Sequence, residues 1–252
     1  MSGIFSQKKI LVTGAGSGLG REIALAFSRL GGTVILAGRN KQKLEETAQA
    51  ISETPGKSWV IPFDVNNNQS IDNLFNEIKN KVGTLDIAVN NAGVFSFGFV
   101  DETSSEDFNH VFTTNVIGLF ESLKRELQSM KENRAGTIVN ISSNMSIGLN
   151  IPGTAAYTAS KAAVDALTRV SAKEAITHGV RVFSINPGPL ATEMTQLPGE
   201  SAADRDKRWR DLIPIGRIGD VKEIAQAIIW SCSGQSDYLV GTRIVIDGGH
   251  SL

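Results

Sequence analysis

Cysteine is almost missing from this chain. A single one, Cys232, in 252 residues excludes an internal disulfide and points to a reducing, cytoplasmic compartment. Within "IAQAIIWSCS" it reads as a small buried apolar residue rather than a reactive thiol. Histidine is scarce too. His110, His178 and His250 do not group with cysteine or carboxylates at ligand spacing, so no metal site is expected. No segment approaches the ~18 uninterrupted apolar residues of a membrane span. The opening "MSGIFSQKKILVTGAG" sets two lysines before an apolar run of only three, which is not the pattern of a secretory leader. Excess charge is also lacking. Twenty-five basic residues against 26 acidic ones give a net charge of -1, and with no basic block a nucleic-acid partner is not expected.

What is present is a regular alternation. The chain is 41% hydrophobic, enough for one sizeable core in a single domain spanning residues 1–252. Short β-branched runs, "KILVTG" (9–14), "TVILAG" (33–38), "SWVIPFDV" (58–65), "LDIAVNNAG" (85–93), "GTIVNISS" (136–143), "VRVFSINPG" (180–188) and "TRIVIDGG" (242–249), read as strands. Between them lie helical patterns, including a long helix over 105–132 that Ser104 or Ser105 caps. Apolar strands linked by helices predict a mostly parallel α/β sheet covered on both faces. An eight-stranded β/α barrel is the rival. Seven strand candidates and a glycine-rich first turn favour an open, doubly wound, seven-stranded sheet. Residues 190–215 interrupt the alternation with a polar run, "ADRDKRWRD", and read as a flexible lid.

The first strand–helix junction is "TGAGSGLG", Thr13 to Gly20. Glycines let the backbone approach a pyrophosphate, and the following helix offers unpaired N–H groups and a positive dipole end. Glycine-rich turns also serve only to pack a helix. A turn that leaves the first strand and opens the first helix of an α/β chain is the context dinucleotide binding requires. Thr13, Gly14, Ser17, Gly18, Leu19 and Gly20 are the candidate contacts.

The spacing Thr-Gly-x3-Gly-x-Gly resembles the fingerprint of the short-chain dehydrogenase/reductase family. "NNAG" (90–93), "TNVIG" (114–118), "NISS" (140–143), Tyr157-x-x-x-Lys161 and "NPGPLATEM" (186–194) then fall in that family's order. The resemblance runs from about Lys9 to the "DGG" at 247–249, nearly the whole chain. It implies a single-domain Rossmann fold and a nicotinamide cofactor. Asp64 and Val65 would flank the adenine. Asn91, Ala92 and Gly93 would lie along the cofactor, while Asn90 ties neighbouring strands together. Pro187 and Gly188 would shape the turn beneath the nicotinamide, and Leu190 and Thr192 would meet its carboxamide.

At the end of the second strand, "ILAGRN", Gly38 stands where NAD-using relatives typically carry Asp, and Arg39 follows. A carboxylate there would repel a 2′-phosphate, whereas Arg39 offers a planar charged partner, with Asn40 as an added hydrogen bond. The chain is thus expected to prefer NADP(H). NAD(H) stays open, because the glycine turn holds Ser17 where some relatives place a second basic residue.

Tyr157 and Lys161 are four apart on a helix and share a face. Such a pair is usually a mere helix edge. Here it directly follows the strand ending in Ser143, and strand ends are where ligands sit in an open α/β sheet. A free phenol, with a pKa of about 10, is a poor acid–base group at neutral pH, and a nearby ammonium is expected to lower it. The resemblance implies that Tyr157 is the general acid/base and that Lys161 binds the cofactor ribose. Ser143 would hold the substrate oxygen, and Asn115 would hold a water relaying protons to Lys161. Ser146 is a second candidate for the serine; Ser142 faces the other side of the strand. Relatives often have one residue fewer between this serine and the tyrosine.

An apolar pocket is expected from Phe95, Phe97, Ile147, Leu149, Ile151, Met194, Leu197, Trp209 and Leu212. The substrate expected is a small, fairly apolar carbonyl or alcohol compound. A 3-oxoacyl-carrier-protein reductase, docking its carrier on Arg205, Lys207, Arg208 and Arg210, is one alternative. A non-catalytic dinucleotide sensor is another. The resemblance also implies a homotetramer or homodimer.

Overall fold

The structure is a computed structural model that describes residues 3–252; Met1 and Ser2 lie outside the described residues. Its elements follow in chain order: β1 (Lys9–Thr13), α1 (Gly18–Arg29), β2 (Thr33–Gly38), α2 (Lys41–Ile51), β3 (Lys57–Pro62), α3 (Asn68–Lys81), β4 (Ile87–Asn90), α4 (Ser105–Phe112), α5 (Leu119–Glu132), β5 (Gly136–Ile141), α6 (Ala155–Ala175), β6 (Val180–Pro187), α7 (Ala202–Arg210), α8 (Val221–Cys232) and β7 (Arg243–Ile246). The strands form one parallel sheet in the order β3-β2-β1-β4-β5-β6-β7. The order reverses between β1 and β4, the place where an open α/β sheet leaves a crevice at its carboxyl edge. An open sheet, not a barrel, is therefore the architecture.

Both faces of each central strand are buried, which is why these strands read as unbroken apolar runs. Side chains alternate by twos. Ile10 and Val12 join α1, α2 and α8 in one core layer, while Leu11 joins α3, α5 and α6 in the other. Val34 and Leu36 against Ile35 and Ala37 repeat that division one strand away. No helix among the described residues is long and apolar enough to cross a membrane.

Two stretches differ from the expected pattern. The helix expected over 105–132 is broken by a π-helical turn at Thr113–Gly118, between α4 and α5. Periodicity does not reveal it; within this turn Asn115 reaches off the helix to Val94 and Ser160. The expected lid, 190–215, contains a helix of its own. Ser201 caps α7 by accepting from Asp204 N at 3.1 Å, and Arg205 and Ile213 are buried.

One buried acid has a stability consequence. Glu126 on α5 is 0% exposed; Asn90 donates to its Oε2 at 2.9 Å, and its Oε1 has no partner among the described residues. Burial pushes its pKa up to about 7, opposed by the Asn90 hydrogen bond. A carboxyl whose folded pKa is raised stabilises the fold fully below its unfolded value. That stability is lost as pH rises through the folded value, here between about 4.5 and about 7. Glu126→Gln keeps the shape and cannot ionise. It should leave thermal stability at pH 5 nearly unchanged and raise it at pH 8 by up to roughly 3 kcal/mol. Melting curves of both proteins at the two pH values check this; an equal effect at both would refute the assignment.

Candidate active site

The glycine turn is built for close approach. Gly14 takes φ +67° and Gly18 φ +52°, values that favour glycine. Thr13 Oγ1 accepts from Asn91 N and Ala92 N, both at 3.0 Å, and Asn91 Nδ2 donates to Thr13 O at 3.0 Å. These bonds join "NNAG" to the first turn across the switch point. Ser17 is the N-cap residue of α1 yet makes no side-chain capping bond, and the first turn carries no acid. That leaves a helix end with open N–H donors and an undiminished positive dipole, aimed at the crevice. Across the crevice, a methyl on Gly18 would stand 3.5 Å from Thr192 Cγ2. These features fit a dinucleotide pyrophosphate.

The flanking residues fall into place around it. Arg39 is exposed and, among the described residues, forms no ion pair. Asn40 caps α2, accepting from Lys43 N at 3.1 Å. Asp64 Oδ1 accepts from Asn66 N at 3.0 Å, and Asn67 rather than Asp64 caps α3. Val65 packs against the π turn so closely that any side chain on Gly118 would overlap its carbonyl. Asn90 donates to Asn140 at 3.0 Å, tying β4 to β5. Beyond β6, Gly188 N donates to Ile246 O at 3.0 Å, and Leu190 is buried and bridges to Gly219.

The four candidate catalytic residues converge at the carboxyl ends of β4 and β5. Lys161 is buried and its Nζ donates to Ile141 O at 2.8 Å. The same Nζ lies 5.6 Å from the centre of the Tyr157 ring. Asn115 Nδ2 donates to Val94 O at 2.9 Å and Ser160 Oγ at 3.1 Å, while its Oδ1 accepts from Val94 N at 2.8 Å. It thereby clasps the segment after β4 to α6. A methyl on Gly93 would lie 3.2 Å from Asn115 Oδ1 and 3.5 Å from Lys161 Nζ, so this turn shares the pocket floor. Ser143, buried at the end of β5, is the serine beside the Tyr157 hydroxyl. Ser146 Oγ is instead engaged with Ser143 O and Asp165, each at 2.6 Å, and Ser142 Oγ donates to Lys161 O at 3.1 Å.

The electrostatics differ from the expectation for a bare Tyr/Lys pair. Tyr157 is only partly buried in surface terms, but desolvation dominates and pushes its pKa up to about 12, opposed by the Ser143 hydrogen bond. The Lys161 Nζ is turned to the Ile141 carbonyl, 5.6 Å from the centre of the phenol ring. Burial instead pulls Lys161 itself down to about 8, with Asp165 acting in the opposite sense.

Comparison with known proteins decides the family. The family model described as Enoyl-(Acyl carrier protein) reductase matches residues 14–251. The chain is a short-chain dehydrogenase/reductase. Among its relatives, 3-oxoacyl-[acyl-carrier-protein] reductase FabG of Thermotoga maritima is 35% identical, covering 96% of this chain and 97% of the relative. The 3beta-hydroxysteroid dehydrogenase 1 of Eggerthella lenta is 34% identical over 97% of this chain and 94% of its own. A short-chain type dehydrogenase/reductase from Mycobacterium marinum superimposes with a TM-score of 0.92 at 34% identity, covering 98% of this chain and 96% of that one. As a member of the family, this oxidoreductase works with a nicotinamide dinucleotide, and its glycine cradle and uncapped α1 fit that group.

The surroundings of Tyr157 in this oxidoreductase are partly aromatic. The Phe95 ring meets Tyr157 edge-on, with centroids 5.0 Å apart. Phe97 lies against Gly153, and Gly98 N donates to Gly153 O at 2.9 Å, clasping the two loops that flank Tyr157. A cavity of about 380 Å³, lined by Val100, Phe108, Ala155 and Ala156 among others, opens at the start of α6. A second depression of about 550 Å³ is lined by Ala191, Arg210, Arg217, Ile218 and Glu223 among others and does not include Tyr157. Sequence reading passed over Asp165. Its signal was available: a carboxylate four residues past Lys161, on the face of a small-residue helix that already carries Tyr157.

Proposed function

We propose that this chain interconverts a ketone or aldehyde and the corresponding alcohol, prefers NADP(H), and takes a fairly apolar small molecule. The observation that carries the reading is one juxtaposition: the buried Lys161 Nζ 5.6 Å from the centre of the Tyr157 ring, with buried Ser143 just past the end of β5. A bound nicotinamide dinucleotide supplies the hydride for reduction. Tyr157, neutral at physiological pH, gives its proton to the carbonyl oxygen as that oxygen gains charge. Ser143 donates a hydrogen bond to the same oxygen. Lys161, as an ammonium, offsets the phenolate left behind and is placed to bind the ribose. Asn115 holds the segment after β4 and the start of α6 at fixed distance, and a water at this residue completes the proton path. In the alcohol-to-carbonyl direction Tyr157 is the base.

Two relatives are named as a 3-oxoacyl-[acyl-carrier-protein] reductase and a 3beta-hydroxysteroid dehydrogenase, and an apolar substrate is in keeping with Phe95 against Tyr157 and Phe97 against Gly153. The acyl-carrier reading is the second one, favoured by the first of those relatives. Arg205 and Arg208 on the lid are paired with Asp206 and Glu200, at 2.8 Å each, which leaves Lys207 and Arg210 for a carrier. Following NADPH and NADH absorbance against cyclic ketones, steroid ketones and an acetoacetyl thioester tests both readings. Turnover of the thioester alone would replace the first reading by the second. Tight cofactor binding with no turnover of any would overturn catalysis.

Arg39 carries the cofactor preference. Arg39→Ala should weaken NADPH binding about 10- to 100-fold, the worth of a charge-assisted hydrogen bond, and change NADH binding by less than about threefold. Fluorescence titration with each cofactor reads this. Equal losses for the two would overturn the NADP assignment.

A further inference from the structure

Tyr157, Lys161 and Asp165 occupy successive four-residue steps of α6. Asp165 is 2% exposed, although a helix packed on a sheet needs no carboxylate there and burying one is costly unless donors surround it. They do. Ser146 Oγ reaches its Oδ2 at 2.6 Å, Ser184 Oγ its Oδ1 at 3.0 Å, and Asn186 Nδ2 both oxygens at 3.0 and 3.3 Å. Arg243 of β7, partly exposed, stands 3.9 Å from Oδ2. Two of these donors also converge on a single backbone atom. Ser146 Oγ lies 2.6 Å and Asn186 Nδ2 3.1 Å from the carbonyl oxygen of Ser143. The one proton of Ser146 serves Asp165 or Ser143 at a time, and the two amide protons of Asn186, which also reach Ser146 Oγ at 2.9 Å, supply the remainder.

We propose that Asp165 is a positioning residue of the carbonyl–alcohol reaction: through Ser146 and Asn186 it fixes the backbone of Ser143, and its negative charge faces the Lys161 ammonium. The inference rests on the catalytic reading above and extends it to a residue that touches neither substrate nor cofactor. The first part follows from geometry, since the Ser143 carbonyl is held by groups that themselves converge on the carboxylate. The second follows from the position one turn beyond Lys161. Other groups around Lys161 are the Ile141 carbonyl, Tyr157 and Asn115, all neutral, and among the described residues the other charge close to Asp165 is Arg243. Asp165 thus opposes the burial that pulls Lys161 down to about 8. Without it Lys161 loses its proton at lower pH.

The test compares Asp165→Asn, Asp165→Glu and Ser146→Ala with the wild type at saturating NADPH, using the best carbonyl substrate found. In Asp165→Asn, kcat for reduction should fall about 10- to 100-fold, with KM for NADPH within about twofold. The alkaline limb of its kcat–pH profile should move to lower pH by about one unit. Asp165→Glu, which keeps the charge, should restore the limb. Ser146→Ala should lower kcat about tenfold without moving the limb, because the charge remains. An unchanged kcat and an unmoved limb in Asp165→Asn would overturn the proposal. So would a loss confined to melting temperature with normal kcat per NADPH-binding site. If Asp165→Asn does not fold, an unchanged kcat in Ser146→Ala decides against it. A wild type inactive on every carbonyl compound would instead remove the catalytic reading, a result separable from normal wild-type turnover with silent variants.

Discussion

Tyr157→Phe should lower kcat by about 10²- to 10⁴-fold while leaving the affinity for NADPH within about threefold. The substitution removes one oxygen and nothing else. The ring stays, and with it the edge-on contact to Phe95 at 5.0 Å and the neighbourhood of Lys161. What disappears is the proton delivered to the substrate oxygen and the partner of the Ser143 hydroxyl. The pH dependence follows from the same geometry. Burial holds the phenol near 12, so Tyr157 carries its proton across the physiological range and is always ready as an acid. Alcohol oxidation needs the phenolate, so its rate should climb with pH. Reduction should instead fall as Lys161, near 8, loses its charge. Steady-state rates in both directions from pH 6 to 10, together with NADPH titration of the variant, check the whole set. A fully active Phe variant would remove Tyr157 from the chemistry.

Gly20→Ala should abolish most cofactor binding and cost stability. In an ordinary first turn of a helix, alanine for glycine gains up to about 1 kcal/mol. Here a methyl would overlap the Gly14 carbonyl oxygen and lie 2.5 Å from Asn91 Nδ2. Neither neighbour can yield freely. Gly14 sits at φ +67°, and Asn91 is bonded to Thr13 O at 3.0 Å. Relief means pushing α1 away from the turn, which displaces the helix end meant for the pyrophosphate. Overpacking of this kind costs about 1–3 kcal/mol. For a chain of this size that is a fall in melting temperature of roughly 3–10 °C. NADPH should bind at least about tenfold more weakly, and its protective shift of the melting curve should shrink accordingly. An unchanged melting temperature with unchanged affinity would show that the turn relaxes and that the close approach is not required.

Much of this was legible in the chain because it is local. Strands that are apolar on both faces and helices of 3.6-residue period leave their marks within a few residues, so the seven strands and the helices between them could be placed. Boundaries were less exact. The last strand, expected over 242–249, is Arg243–Ile246, and the fourth, expected over 85–93, is Ile87–Asn90. Both run into glycine-containing loops, "NAG" (91–93) and "DGG" (247–249), where sheet pairing has already ended. Ser143, Tyr157 and Lys161 could be matched to a family pattern because their order along the chain carries that information. The π turn could not, since the bonds that accompany it join Asn115 to Val94, 21 positions away.

By itself, then, the sequence determined the β/α alternation, the glycine turn, the family and the candidate set Asn115, Ser143, Tyr157 and Lys161. Each of these depends on residue type and spacing, which the chain displays directly. Tertiary structure alone decided the strand order, the engagement of Ser146 with the Ser143 carbonyl and Asp165, and that of Lys161 with Ile141. It alone decided the direction of the Tyr157 shift and the gathering of Ser146, Ser184, Asn186 and Arg243 around Asp165. The physical reason is common to all of them. Burial and hydrogen-bond partnership belong to groups brought together from distant parts of the chain, and both a pKa and a side chain's aim are set by that surrounding rather than by neighbours in sequence.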